Sequence, residues 1–192
     1  MPKVLIMVDN GFEDAEFIYT YYRFQEEGYQ VEVVAPRAKE TYKGQHGVPT
    51  RSDLSPKEAK VDKYHALIIP GGKAPDRMRA HKGLVNIVKE FYEKGKVIAS
   101  ICYGPKMLIE ADILRGKKAT CYWFVARDLE NAGATFIDTP VVVDENLVTS
   151  RFPGDLPKFC QETIKILQNN KHKSIIYFLK KFSSPFQKSR SL

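Results

Sequence analysis

The chain has 192 residues, of which 43% are hydrophobic and 28% are charged, and its formal net charge is +7. This length and balance are typical of a single globular domain, and they exclude a collagen-like or intrinsically disordered chain. The three cysteines, Cys102, Cys121 and Cys160, are widely spaced, so that neither a disulfide framework nor a zinc site is expected.

The positive charge is concentrated near the C-terminus. Residues 171–192 contain six Lys or Arg and no Asp or Glu, whereas the rest of the chain has 24 basic and 23 acidic residues. We therefore predict a nearly neutral domain over residues 1–169, a basic extension over residues 170–192, and no nucleic-acid partner. The apolar run at the N-terminus is too short for a signal peptide or a membrane span, which indicates a cytoplasmic protein.

In the first half of the chain, apolar runs alternate with helical patterns. Buried strands are predicted at residues 3–8, 31–35, 66–70 and 97–101, and helices at residues 13–27 and 83–93. Such alternation is typical of parallel strands joined by right-handed helical crossovers.

The second half predicts shorter elements. Strands are expected at residues 119–122, 141–143 and 147–150, with a hairpin turn at residues 144–146, and an amphipathic helix over residues 156–169 closes the domain. The expected fold is a three-layer open α/β sandwich with a mainly parallel, flavodoxin-like sheet. Ligands in such folds bind beyond the carboxyl ends of the strands.

One cysteine follows a predicted strand directly. Residues 97–105 read Val-Ile-Ala-Ser-Ile-Cys-Tyr-Gly-Pro. The small residue Ser100 lies two positions before Cys102, and Gly104 lies two positions after it. This pattern is typical of a nucleophile elbow, a tight turn from a strand into a helix. A thiol at a helix N-terminus faces unpaired N–H groups, which predicts a lowered pKa and a reactive Cys102.

Two further loops are expected at the same sheet edge. One contains Glu13, which either caps the first helix or exchanges a proton with Cys102. The other contains Gly72, which either forms a turn or offers its N–H, together with that of Tyr103, as an oxyanion hole. His46, His65 or His81 could also approach the thiol, and Cys121 is expected to be a buried structural residue.

Residues 11–14, 70–77, 99–105 and 131–134 resemble motifs of the ThiJ/PfpI superfamily, which has a class I glutamine amidotransferase-like fold and includes archaeal PfpI-type intracellular peptidases and the parkinsonism-associated deglycase. The resemblance extends from about residue 2 to residue 167. It implies that Cys102 is the nucleophile and Glu13 its acidic partner, with Gly72 and Tyr103 as oxyanion amides. It also implies that Tyr122 lines the pocket. Asp76 replaces a glutamate that reaches across a subunit interface, which implies a homodimer or a dimer-based assembly.

The sequence departs from the PfpI-type motif directly after the nucleophile, where Tyr103 replaces a histidine. A phenol does not act as a base near neutral pH as an imidazole does, so a peptidase triad is incomplete. The resemblance then favours a cofactor-free and metal-free enzyme of the glyoxalase III or deglycase type, in which Cys102 attacks methylglyoxal or its adducts on amines and thiols. Two alternatives are a PfpI-type cysteine peptidase and a redox-responsive or chaperone-like protein with an oxidisable Cys102.

Overall fold

A computed structural model describes the backbone of residues 1–182 and the side chains of residues 1–170. The remainder of the predicted basic extension lies outside these described residues. The strands are β1 (Lys3–Met7), β2 (Gln30–Val34), β3 (Thr41–Lys43), β4 (Pro49–Arg51), β5 (Ala66–Ile69), β6 (Val97–Ile101), β7 (Lys118–Ala119), β8 (Thr135–Phe136), β9 (Val141–Asp144) and β10 (Leu147–Ser150). The helices are α1 (Asp14–Glu26), α2 (Ala74–Met78), α3 (Lys82–Glu93), α4 (Lys106–Glu110), α5 (Ala126–Asn131) and α6 (Leu156–Phe182).

Six strands form the central sheet in the order β2-β1-β5-β6-β10-β9. All neighbouring strands are parallel except β9 and β10, which form an antiparallel hairpin at one edge. The residues of β5 and β6 are buried throughout, as expected for central parallel strands covered by helices on both faces. The predicted mainly parallel, flavodoxin-like sheet is confirmed.

Several elements differ from the sequence prediction. Helix α6 continues to Phe182 instead of ending at residue 169, because residues 158–184 contain neither Gly nor Pro to stop it. The strand predicted at residues 119–122 is reduced to the two-residue β7. Over the described part of the chain, none of the helices has both the length and the apolar character needed to cross a membrane.

The carboxyl ends of β1, β5 and β6 bring three loops to one edge of the sheet. The first two loops are joined by backbone hydrogen bonds, from the Glu13 N–H to the Gly71 carbonyl at 3.2 Å and from the Lys73 N–H to the Gly11 carbonyl at 2.7 Å. The third loop is held by the Cys102 N–H, which donates to the Ser150 carbonyl at 3.0 Å. The topology therefore assembles a site from segments far apart in sequence.

Candidate active site

Cys102 lies in a strained turn between β6 and α4. Its φ of 63° is in the left-handed region, which costs a non-glycine residue about 1–3 kcal/mol. The surrounding backbone maintains this conformation, since the Cys102 carbonyl accepts a hydrogen bond from the Tyr122 N–H at 3.0 Å and its N–H is bound to Ser150. A strained residue between two buried elements is the expected geometry of a nucleophile elbow.

Close packing around the elbow requires glycine at two positions that contact it, Gly71 and Gly104. A Cβ atom on Gly71 would lie 2.7 Å from both the Cys102 Cβ and the Tyr103 nitrogen. A Cβ on Gly104 would lie 2.4 Å from the Ile69 carbonyl oxygen. These contacts are too short for any side chain, so the backbone can approach the thiol only because both residues are glycines.

Two backbone amides face the sulfur atom. The N–H groups of Gly72 and Tyr103 donate hydrogen bonds to Cys102, and both lower the pKa of its thiol. Gly72 can present its amide in this way because its φ is +76°, which glycine adopts without strain. Paired N–H donors beside a nucleophile form the arrangement that stabilises an oxyanion on an attacked carbonyl carbon.

The carboxyl group next to Cys102 belongs to Glu16 and not to Glu13. The Glu16 side chain is fully buried, accepts a hydrogen bond from the Gly71 N–H at 2.6 Å, and is hydrogen-bonded to the Cys102 thiol. The Glu13 carboxylate instead accepts a hydrogen bond from the Gln45 side-chain amide at 2.5 Å. The prediction that Glu13 shares a proton with the thiol is therefore wrong.

The helical period explains which carboxyl group reaches the thiol. Helix α1 begins at Asp14, and Glu13 is its extended N-cap residue. Glu16, Thr20 and Phe24 are spaced four residues apart and are all fully buried, so they lie on the face of α1 that packs against the sheet. An acidic residue within this buried stripe is the sequence signal that could have identified Glu16.

Burial and mutual repulsion set the protonation of the Cys102–Glu16 pair. Burial raises the pKa of Glu16 to about 8, against a smaller lowering by the Gly71 N–H. Burial also raises the pKa of Cys102, and the charge on Glu16 raises it further, so the predicted lowered thiol pKa is wrong. Near neutral pH Glu16 is protonated, which removes its repulsion of a thiolate and leaves a proton available beside the sulfur.

Tyr103, Tyr122 and Asp76 lie on one side of the elbow. The rings of Tyr103 and Tyr122 are 5.0 Å apart, and the Lys106 ammonium is 5.0 Å from the centre of the Tyr103 ring. The same ammonium binds both carboxylate oxygens of Asp76, at 2.9 Å and 3.0 Å. Asp76, predicted to reach across an interface, is thus paired within its own chain.

The histidines with described side chains contact groups other than the thiol. His46 Nε2 is 3.8 Å from Glu13 Oε2, and His81 Nε2 is 3.6 Å from Asp9 Oδ2. His65 Nδ1 accepts the Lys3 N–H at 3.3 Å, at the opposite end of β1. Of these three histidines, His46 is the one in contact with a predicted site residue, Glu13.

One group of side chains has the spacing of a metal site but not its chemistry. Potential ligand atoms of Glu13, Asp14 and His46 lie within 4.8 Å of one another. Both Asp14 oxygens, however, accept backbone N–H groups, those of His46 and Val48, and the group lies at the positive end of α1. These residues do not fit a bound cation.

Comparison with known proteins identifies the family. A sequence model of the DJ-1/PfpI family matches residues 2–166. The chain belongs to the DJ-1/PfpI family. It is 43% identical over 166 residues to deglycase PfpI of Pyrococcus furiosus, covering 86% of this chain and 99% of that protein. It is 37% identical over 166 residues to "Putative cysteine protease YraA" of Bacillus subtilis, covering 86% and 98%.

A solved structure shares the fold of this DJ-1/PfpI domain. The two-domain protein from Anabaena variabilis, which contains DJ-1/ThiJ/PfpI-like and ferritin-like domains, matches with a TM-score of 0.86 and 42% identity. The match covers 88% of this chain and 48% of that chain, so the present chain spans about half the length of the two-domain protein.

Cys102 should be the first of the three cysteines to react with iodoacetamide or peroxide. Burial raises the pKa of all three thiols, but only at Cys102 do two backbone N–H groups, those of Gly72 and Tyr103, point at the sulfur and favour a thiolate. Cys102 is also 7% exposed, against 1% and 0% for the other two. Peptide mass spectrometry after brief labelling measures the order, and earlier labelling of Cys121 or Cys160 would exclude Cys102 as the reactive thiol.

Proposed function

We propose that this protein is a cysteine-dependent enzyme of the glyoxalase III or deglycase type that acts on reactive carbonyls, either methylglyoxal or its adducts on amines and thiols. The observation that supports this proposal is the position of the Cys102 sulfur, between the protonated carboxyl of Glu16 and the amides of Gly72 and Tyr103. These groups suffice for addition to an aldehyde and for proton transfer afterwards.

The reaction begins with addition of the thiol to the aldehyde of methylglyoxal. The thiol first gives its proton to solvent; sulfur then bonds to the aldehyde carbon while the aldehyde oxygen takes the proton of Glu16, and the product is a hemithioacetal beside a Glu16 carboxylate. While the oxygen bears negative charge, the two amides stabilise it. No leaving group departs in this step, so the histidine that Tyr103 replaces is not required.

Glu16 then converts the hemithioacetal into a thioester. As a carboxylate it removes the proton from the former aldehyde carbon and returns it to the neighbouring ketone carbon, while the hydroxyl proton moves to the ketone oxygen. Water hydrolyses the resulting thioester of lactate and regenerates the thiol. In these steps the aldehyde carbon is oxidised and the ketone carbon is reduced within the same molecule, so the reaction balances without a cofactor or metal.

The relatives support the coarser part of this proposal. Deglycase PfpI matches over 99% of its own length, and a second relative, protein/nucleic acid deglycase 2 of Escherichia coli, is 38% identical over 167 residues. A homodimer-based assembly and a cytoplasmic location stay predictions.

The direct test incubates the purified protein with methylglyoxal in the absence of glutathione. We expect catalytic consumption of methylglyoxal with release of an equal amount of lactate, measured enzymatically. Modification of Cys102 in a single turnover, with no lactate formed, would instead favour a thiol that is a sensor or a target of damage.

A cysteine peptidase is the second candidate, favoured by the name of the Bacillus subtilis relative. Amide hydrolysis requires an acid that protonates the departing amine, a role that histidine fills in cysteine and serine peptidases. Tyr103 follows the nucleophile here, and burial raises the pKa of its phenol, so that the phenol is a still weaker acid and forms even less phenolate near neutral pH. The wild-type protein is therefore expected to have little or no peptidase activity.

Tyr103→His alone should increase peptidase activity only slightly, because Lys106 holds the Asp76 carboxylate that could orient a new imidazole. The double variant Tyr103→His/Lys106→Gln should gain more. Hydrolysis of fluorogenic peptides measures both, with Lys106→Gln as the control. Strong peptide cleavage by the unmodified protein that is lost in Cys102→Ser would contradict this prediction.

A further inference from the structure

The hairpin of β3 and β4 is fastened to the start of α1. Both oxygens of the Asp14 carboxylate accept backbone N–H groups of the hairpin, from His46 at 2.9 Å and from Val48 at 2.8 Å. The Gln45 N–H donates to the Phe12 carbonyl at 2.9 Å. The backbone of the hairpin turn is thus fixed relative to the loop that carries Glu13.

This attachment places a carboxylate and an imidazole together. The His46 Nε2 atom is 3.8 Å from Glu13 Oε2, and the Gln45 amide donates to the same oxygen at 2.5 Å. The Glu13 side chain is 16% exposed and the His46 side chain is 72% exposed. The carboxylate is therefore largely covered, whereas the imidazole beside it is accessible from solvent.

The pair lies beside the reactive centre. The Glu13 N–H donates to the carbonyl of Gly71, and the next residue, Gly72, offers its amide to Cys102. The charge on Glu13 also raises the pKa of Glu16, so the two carboxyl groups are close enough to interact. The steps proposed above for methylglyoxal use neither Glu13 nor His46.

We propose that His46 and Glu13 form a second acid–base pair, which releases the amine when the substrate is an amine adduct of the carbonyl compound. This inference rests on the proposed function and names the substrate class for which the pair is needed. In an aminocarbinol, the carbon that was the aldehyde bears a hydroxyl and an amine nitrogen. Glu13 takes the hydroxyl proton while the imidazolium of His46 protonates the nitrogen.

The carbon–nitrogen bond breaks and its electron pair stays on the nitrogen, which leaves as a neutral amine. The carbon–oxygen bond becomes a carbonyl, so that free aldehyde forms beside Cys102. Because the Glu13 and His46 atoms are 3.8 Å apart, beyond hydrogen-bond distance, the proton on Glu13 returns to the exposed His46 through solvent, and the net change is transfer of one proton from oxygen to nitrogen. An alkylamine leaves poorly without that proton, whereas a thiol leaves readily as the thiolate.

The test compares two substrates in four proteins: the wild type, His46→Gln, Glu13→Gln and His81→Gln. Release of free amine from the methylglyoxal adduct of N-acetyl-lysine amide, and of free thiol from the adduct of N-acetylcysteine, is measured above the uncatalysed rate. In His46→Gln we expect the ratio of kcat/KM for the amine adduct to that for the thiol adduct to fall by about 10²-fold. His81→Gln is the matched control, because its imidazole also faces a carboxylate, that of Asp9, and it should not change the ratio.

Two outcomes would overturn the inference. One is an unchanged ratio in His46→Gln with a melting temperature equal to that of the wild type. The other is an equal loss for both adducts, which would indicate that the variant only disturbs the hairpin. Glu13→Gln should lower the same ratio, because its amide cannot accept the hydroxyl proton. Failure of the proposed function itself is distinguishable, since the wild type would then release neither amine nor thiol.

Discussion

Glu16→Gln should lower the turnover of methylglyoxal by about 10²–10⁴-fold, the usual contribution of a general acid–base group. Glutamine can still accept the Gly71 N–H, which now binds Glu16 at 2.6 Å, so the fold is expected to persist. It cannot move a proton between the two carbons of the hemithioacetal. Glu13→Gln is the matched comparison and should retain far more of this activity; a larger loss in Glu13→Gln would restore Glu13 as the proton shuttle.

Glu16→Gln should also stabilise the fold at alkaline pH. Burial raises the pKa of Glu16 from 4.5 to about 8, so the folded chain keeps a proton that the unfolded chain loses. The stabilisation from this proton is fully present below the unfolded pKa and is lost as the pH rises through the folded pKa. Glutamine has no such dependence, so the wild type should lose melting temperature relative to Glu16→Gln between about pH 5 and pH 9.

Thermal denaturation followed by circular dichroism at several pH values measures this difference. A constant gap in melting temperature across the range would mean that Glu16 has the same pKa in the folded and unfolded states. A loss of turnover together with a gain in stability would show that the buried acid is kept for chemistry and not for the fold.

Gly72→Ala should lower turnover by about 10²–10³-fold, the effect of losing one oxyanion-hole donor. A Cβ at this position would lie 2.5 Å from the Gly11 carbonyl oxygen and 2.6 Å from the Glu13 nitrogen. Both are backbone atoms, so the loop must move and the Gly72 N–H must leave the sulfur. The positive φ adds a strain of about 1–2 kcal/mol for alanine.

Gly28→Ala separates these two effects. Its φ of +80° is close to the +76° of Gly72, but a Cβ on Gly28 would have no atom within 4 Å. It should therefore show the backbone strain alone, with a small loss of melting temperature and normal turnover. Equal turnover in Gly72→Ala and Gly28→Ala would exclude the Gly72 amide from catalysis.

The central strands could be predicted because strands buried on both faces appear in the sequence as continuous apolar runs. Strand β6 was predicted at its observed bounds, and β1, β2 and β5 within one residue at either end. The elbow was equally visible, since its small residues reflect backbone contacts that no side chain would permit. The hairpin of β3 and β4 was missed, because two strands of three residues each show no periodicity that can be distinguished from a loop.

The choice between Glu13 and Glu16 depended on the residue at which α1 begins. The two residues are three positions apart, so they lie on neighbouring turns, and a motif alone does not say which side chain faces the sheet. The position of His46 depended on the hairpin as well. Its contact with Glu13 joins residues 33 positions apart and arises because Asp14 and the Phe12 carbonyl hold the hairpin turn against the start of α1.

The ion pair between Lys106 and Asp76 bears on how the protein behaves on dilution. Lys106 supplies the counter-charge for Asp76 from the same chain, and the groups proposed for aldehyde chemistry, Cys102, Glu16 and the two amides, also contact one another within that chain. The activity per mole of chain toward methylglyoxal should therefore be the same in a dilute and a concentrated solution, whatever the state of association in each.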